Sequence, residues 1–135
     1  MVVSAIAIPL LTYITQGVIV GMYKINYYTR PNGKQPAKDW LFHRLDKILR
    51  AGIMAKIQYL EERGLELLGT RMLKPVRGEH GLYELTSGQC RVIVYYDTRK
   101  GHEFVLLNGF LKKKRREREK IDEARFLLYE YLSRE

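Results

Sequence analysis

The sequence predicts an α+β domain: a small, antiparallel-rich sheet with elements in the order β-α-α-β-β-β-α, an N-terminal helical hairpin and a C-terminal helix. Three observations predict it. Apolar residues recur three and four apart between Ala37 and Leu60, the spacing of one buried helix face. Short runs rich in β-branched and aromatic residues then follow between positions 82 and 108, divided by turn residues. A last amphipathic stretch carries Ile121, Ala124, Leu127, Leu128, Tyr131 and Leu132 at helical spacing.

Each element has its own local reason. Tyr23, Ile25 and Tyr27 alternate with Lys24 and Asn26, which gives a first strand one apolar face. Arg30-Pro31-Asn32-Gly33 is a turn, because Pro presets φ and Asn-Gly tolerates positive φ. Ala37, Trp40, Leu41, Leu45, Ile48 and Leu49 stripe a first helix. A break is expected at Ala51-Gly52, after which Ile53, Ile57 and Leu60 continue a second. Gly64 after Arg63 suits a C-terminal cap. Residues 65–81, with Gly69, Pro75, Gly78 and Gly81, read as a loop. Beyond it, 82–86 is a short strand that turns at Ser87-Gly88. Residues 91–96 (RVIVYY) are so continuously apolar that they are expected at the sheet's centre, buried on both sides. Residues 97–101 turn the chain, and 102–108 return antiparallel.

At 135 residues the chain holds one ordinary domain, and its 46% hydrophobic content excludes bulk disorder and a fibrous repeat. Lys and Arg number 24 against 15 Asp and Glu, a net +9 that favours an anionic partner. A single cysteine, Cys90, permits no internal disulfide, and zinc-ligand spacings such as C-x-x-C are missing. No metal or other cofactor is therefore expected, and a reducing, cytoplasmic setting fits. Cys90 reads as a small buried hydrophobe.

Charge begins only at Lys24. Residues 1–21 are therefore expected to be an apolar leader, either an over-extended start before Met22 or a disordered segment, with residues 22–135 forming the single domain. A membrane anchor is the competing reading, since a span needs ~20 apolar residues. Pro9, Thr12, Thr15 and Gln16 weaken it, and no Lys or Arg precedes the apolar run.

From Met22 onward the order of pieces resembles the RelE/HigB toxins, in particular their phage-related HigB-like branch. The pieces are YKINYYT, NGKQPAKDWL, GLELLGTRMLK, GLYEL, CRVIVYY, VLLNGFLKKK and IDEARFLLYEYL. The resemblance implies a RelE-like fold and a small basic toxin of a type II toxin–antitoxin pair. It further implies cleavage of mRNA on the translating ribosome, neutralisation by a cognate antitoxin, expected to be of helix-turn-helix type, and a functional Arg at the place of Arg91. The chain departs from the family's pattern in three places. Thr86 stands where the family often has Arg, Cys90 where an aromatic residue is common, and KKKRRERE runs on without the family's proline.

Cleaving RNA through its own 2′-hydroxyl needs a group to take the proton, cations at the phosphorane oxygens and an acid for the leaving 5′-oxygen. Arg91 is the first candidate, because its planar fork fits two phosphate oxygens; the alternative role is pairing with Glu84 across the sheet. Lys112 and Lys113, just past Phe110, are candidates for stabilising the phosphorane or supplying the proton. Glu84 and His80 are the candidate bases, whereas His43 reads as structural and His102 as weaker still. Lys74 and Arg77 sit in the Gly-rich loop, placed to track an RNA backbone. The 112–120 run carries seven Lys and Arg against two Glu. Its Lys114, Arg115 and Arg116 are expected to hold RNA with a steep salt dependence, because cations at a helix start oppose the dipole and call for an anionic partner. Tyr83, Tyr95 and Tyr96 offer stacking faces, though sheet packing is the commoner use.

The sequence thus points to a metal-free, ribosome-dependent mRNA endonuclease acting in the cytoplasm, partnered by mRNA, the ribosome and an antitoxin. The rivals share the fold without the nuclease chemistry: a toxin that targets DNA gyrase, or a catalytically dead module that binds nucleic acid or its antitoxin.

Overall fold

Residues 90–97 (CRVIVYYD) form the middle of a five-stranded sheet, as their uninterrupted apolar character predicts. The computed structural model describes residues 22–113 and 116–134. The leader expected at 1–21 lies outside the described residues, as do Lys114 and Arg115.

In chain order the elements are β1 (Lys24–Tyr27), α1 (Pro36–Asp39), a π turn (Trp40–Arg44), α2 (Lys47–Arg63), β2 (Leu73–Pro75), β3 (Leu82–Ser87), β4 (Cys90–Asp97), β5 (Glu103–Leu111) and α3 (Glu117–Ser133). The sheet order is β1-β5-β4-β3-β2. β1 runs parallel to β5, and the remaining neighbours are antiparallel. The chain is therefore an α+β domain with a mixed, mainly antiparallel sheet.

Two cores follow from the strands' alternation. On one face Val92, Val94, Phe104 and Leu106 pack with Leu41, Ile53, Ile57 and Leu60 from the N-terminal helices. On the other, Leu82, Ile93, Val105, Leu107 and Phe110 pack with Ala124, Leu127, Leu128 and Tyr131 of α3. Fully buried side chains such as Leu41, Ile53, Leu60 and Leu128 each contribute about 1.5–3 kcal/mol of transfer energy.

Two elements differ from expectation. The loop expected over 65–81 contains a strand: β2 pairs Leu73, Lys74 and Pro75 with Leu85, Glu84 and Tyr83. A three-residue run with a proline carries too little pattern to show in sequence, and proline is tolerated there because β2 is an edge strand. The break between the first two helices falls at Leu45-Asp46 rather than at Ala51-Gly52. Leu45 is extended (φ −87°, ψ 135°), and α2 then runs unbroken through both small residues. Gly52 serves close approach instead, since a Cβ there would lie 2.9 Å from the Ser87 Oγ. Ahead of the break the helix loosens, and the Leu45 amide donates to the Trp40 carbonyl (2.9 Å), an i to i−5 bond.

β5 is longer than its pattern suggested and carries a register irregularity where it passes Ile93 and Val94. Pairing with β1 ends at Tyr27↔Leu106, so residues 107–111 have no strand on that side.

Candidate functional site

Strand register puts Lys74, Glu84 and Arg91 on the α3 side of the sheet: Lys74 is the Cα partner of Glu84, and Thr86 and Phe110 flank Arg91. The Lys74 Nζ lies 3.3 Å from Glu84 Oε1, and the Arg91 Nε lies 4.0 Å from the same oxygen. Glu84 is 2% exposed and Arg91 7%. Arg91 Nη1 donates to the carbonyls of Gly88 (2.7 Å) and Cys90 (2.9 Å), which fixes the guanidinium against its own turn. Among the described residues, both Glu84 oxygens and the Arg91 Nε have no hydrogen-bond partner. A sequestered carboxylate and guanidinium with unmet hydrogen-bonding capacity are costly in a purely structural role.

Lys112 joins this end of the sheet through its backbone. Its amide donates to the Gln89 carbonyl (2.7 Å), one residue along from the carbonyl that holds Arg91. Lys112 itself is exposed. Lys113 instead lines a separate cleft on the free side of β5, together with Arg116.

The basic run does not oppose the helix dipole as expected. Arg116 is only the N-cap of α3, and the first helical turn carries Glu117 and Glu119, which suit the positive helix end and offset Arg118 and Lys120 beside them. Most of the cations therefore precede the helix.

Arg77 and His80 stand apart from this group. They belong to the connection between β2 and β3, at the end of β3 away from the Gly88-Gln89 turn. There the Arg77 carbonyl accepts from Arg125 Nη2 of α3 (2.9 Å), and His80 is exposed. The six residues of β3 separate the two ends by roughly 20 Å. Cys90 is fully buried, and burial pushes its thiol up. His43 is exposed on the π turn. His102 Nδ1 bonds the Tyr96 hydroxyl (2.5 Å), and the two rings stack. Among the described residues no group of three or more His, Cys, Asp or Glu side chains could hold a metal ion. No described helix is long and apolar enough to cross a membrane.

One concavity was not anticipated. A cleft of about 590 Å³ opens where β1 leaves β5, walled by the π turn on one side and the start of α3 on the other. Residues 108–111 of β5 form its floor, and Trp40, Arg44, Lys34 and Lys113 line it. The signal for it in sequence was faint: Trp40 and Arg44 are four apart, which reads as an ordinary helix face until the π turn is known.

The chain matches the family of phage-derived Gp49-like proteins over residues 40–128, a stretch that takes in both the β3–β5 site and the cleft floor. The chain belongs to this family. The Gp49-like family is of the RelE/HigB toxin type, in agreement with the resemblance carried by the sequence. No curated protein sequence matches the chain. Among solved structures, the Gp49-like chain is similar to one in the RelBE2 toxin–antitoxin complex of Mycobacterium tuberculosis, at 21% identity and a TM-score of 0.45. The match covers 67% of this chain and 99% of that one.

Proposed function

We propose that this Gp49-like protein is a ribosome-dependent mRNA endonuclease, the toxin of a type II toxin–antitoxin pair, acting in the cytoplasm and neutralised by a cognate antitoxin of helix-turn-helix type. One observation carries the reading: Lys74 and Arg91 converge on the Glu84 carboxylate from neighbouring strands, and the Lys112 amide is tied to the same turn that holds the Arg91 guanidinium.

In the reaction the ribose 2′-oxygen attacks the adjacent phosphorus as its proton passes to the Glu84 carboxylate. The new O–P bond forms as the bond to the 5′-oxygen breaks, leaving a 2′,3′-cyclic phosphate and a 5′-hydroxyl. Arg91 and Lys74 neutralise the phosphorane oxygens, and the Lys112 ammonium protonates the departing oxygen. The nucleophile belongs to the substrate, so the chemistry requires no metal-activated water. The exposed cations before α3, including Lys112, Lys113 and Arg116, supply attraction to RNA at long range. Lys114 and Arg115 belong to the same run.

The deciding experiment is translation in a cell-free extract with mapping of mRNA 5′ ends. The wild-type chain should cut translated mRNA, and Arg91→Ala should lower cutting by about 10²-fold or more. A second reading has its own support: Arg91 and Glu84 are nearly enclosed, and Thr86 stands where the family often has Arg. These features fit a RelE-fold protein without nuclease activity, whether a gyrase-targeting toxin or a binding module. Arrest of growth with intact mRNA would favour that reading.

A further inference from the structure

The cleft beside β5 has a charge pattern that its surroundings do not satisfy. Six cationic side chains line it (Arg30, Lys34, Arg44, Lys113, Arg116 and Lys120) against two carboxylates, Asp39 and Glu123. Arg30 is held by Glu130 and Lys120 by Glu123, but Lys34, Arg44, Lys113 and Arg116 make no ion pair among the described residues. Gathering free cations into a concavity raises their mutual repulsion and focuses the field on any anion that enters.

The lining also contains unused hydrogen-bond acceptors. Asn108 is 3% exposed; its Nδ2 donates to the Lys120 carbonyl (3.0 Å), while its Oδ1 has no partner among the described residues. The Asp39 carboxylate adds a further acceptor, while Glu123 Oε1 already accepts from Lys120 (3.3 Å) and Asn108 Nδ2 (3.4 Å). An acidic peptide would bring its own carboxylates against these three residues. A nucleotide would not: its phosphate suits the cations, and the amino group of a base suits the acceptors. Trp40 supplies an aromatic surface of the kind that bases stack on irrespective of sequence.

We infer that the cleft between the π turn and α3 binds a nucleotide of single-stranded RNA, with its phosphate on Arg44, Lys113 and Arg116 and its base against Trp40 and Asn108. Phe110 lines the cleft and is the strand partner of Arg91, so a single strand lies between this subsite and the Glu84–Arg91 group. The subsite therefore takes the residue flanking the cleaved linkage; this placement alone rests on the nuclease reading.

Trp40 is the single tryptophan of the chain, so its fluorescence reports the cleft directly. The probe is a 2′-O-methyl oligoribonucleotide, which cannot be cut through its own 2′-oxygen, titrated into the full chain. Saturable quenching of Trp40 is expected. Arg44→Glu with Lys113→Glu should weaken binding at least about tenfold and lower the salt slope by roughly 0.7 for each phosphate no longer neutralised. The control pair, Lys24→Glu with Lys47→Glu, makes the same charge change at exposed sites outside the cleft and should do much less. Equal losses from the two pairs, or no loss from the cleft pair, would overturn the inference. So would quenching by a polyglutamate peptide in place of the oligonucleotide. Correct binding with no mRNA cleavage by the wild-type chain would leave the subsite standing and remove the nuclease reading.

Discussion

The Tyr131 hydroxyl of α3 donates to the Asp97 carboxylate at the end of β4 (2.6 Å), tying the C-terminal helix to the middle strand of the sheet. Asp97 is fully buried and also accepts from the Arg99 guanidinium, Nε at 3.0 Å and Nη2 at 2.9 Å. The Arg99 hydrogen bonds, assisted by the Tyr131 hydroxyl, hold the Asp97 carboxyl down to about 2 against the opposing effect of burial. The folded value thus lies below that of the unfolded chain. This contribution to stability is complete above about pH 4 and disappears as pH falls through about 2. Urea melts at successive pH values should show the decline, and Asp97→Asn should remove it from that window. Tyr131→Phe should cost about 1.5–3 kcal/mol, the range for a hydrogen bond to a charged group.

Gly109 is required by its neighbour Trp40. A Cβ built on Gly109 would clash with the Cε3 and Cζ3 atoms of the Trp40 indole, although the glycine itself has an ordinary strand conformation. Gly109→Ala should therefore destabilise the domain by about 1–3 kcal/mol, the usual cost of overpacking. Adding Trp40→Leu should recover most of that loss, a coupling that a double-mutant cycle measures.

These contacts mark where sequence and structure part. β4 and α3 were legible because an eight-residue apolar run and a seventeen-residue periodic stretch each carry their own signal. The pairing of Arg91 with Glu84 was foreseeable from alternation on adjacent strands. β2 was not legible, and so Lys74, read as a loop cation, is in fact a strand residue facing Glu84. The cleft was hidden for a different reason. Its walls come from residues near 34–44 and 113–123, and only the departure of β1 from β5 after Tyr27 opens the space between them.

The Glu84–Arg91 pair separates stability from chemistry. Removing Glu84 alone leaves a guanidinium that is 7% exposed without its carboxylate, so Glu84→Ala should cost about 3–5 kcal/mol. Replacing both partners, Glu84→Leu with Arg91→Met, should restore most of the folding energy because two apolar side chains need no pairing. A double variant that folds as well as the wild type yet cuts no mRNA would show that the pair is retained for activity. A double variant as unstable as Glu84→Ala would refute this account of the pair's energetics.

Lys74 offers the sharper case, because its side chain is 64% exposed although its ammonium lies 3.3 Å from Glu84. The lysine end of the pair is screened by solvent and Glu84 keeps Arg91 as a countercharge, so Lys74→Ala should lower the urea midpoint only slightly, by far less than Glu84→Ala does. If Lys74 neutralises the phosphorane, the same change should slow mRNA cleavage by roughly 10²-fold, the loss typical of one preorganised charge at a transition state. Lys74→Arg should restore part of the rate, since it returns the charge with a different geometry. A merely structural lysine predicts the opposite pattern: a large shift in midpoint, no change in cleavage at a temperature where both proteins are folded, and no distinction between Ala and Arg in rate.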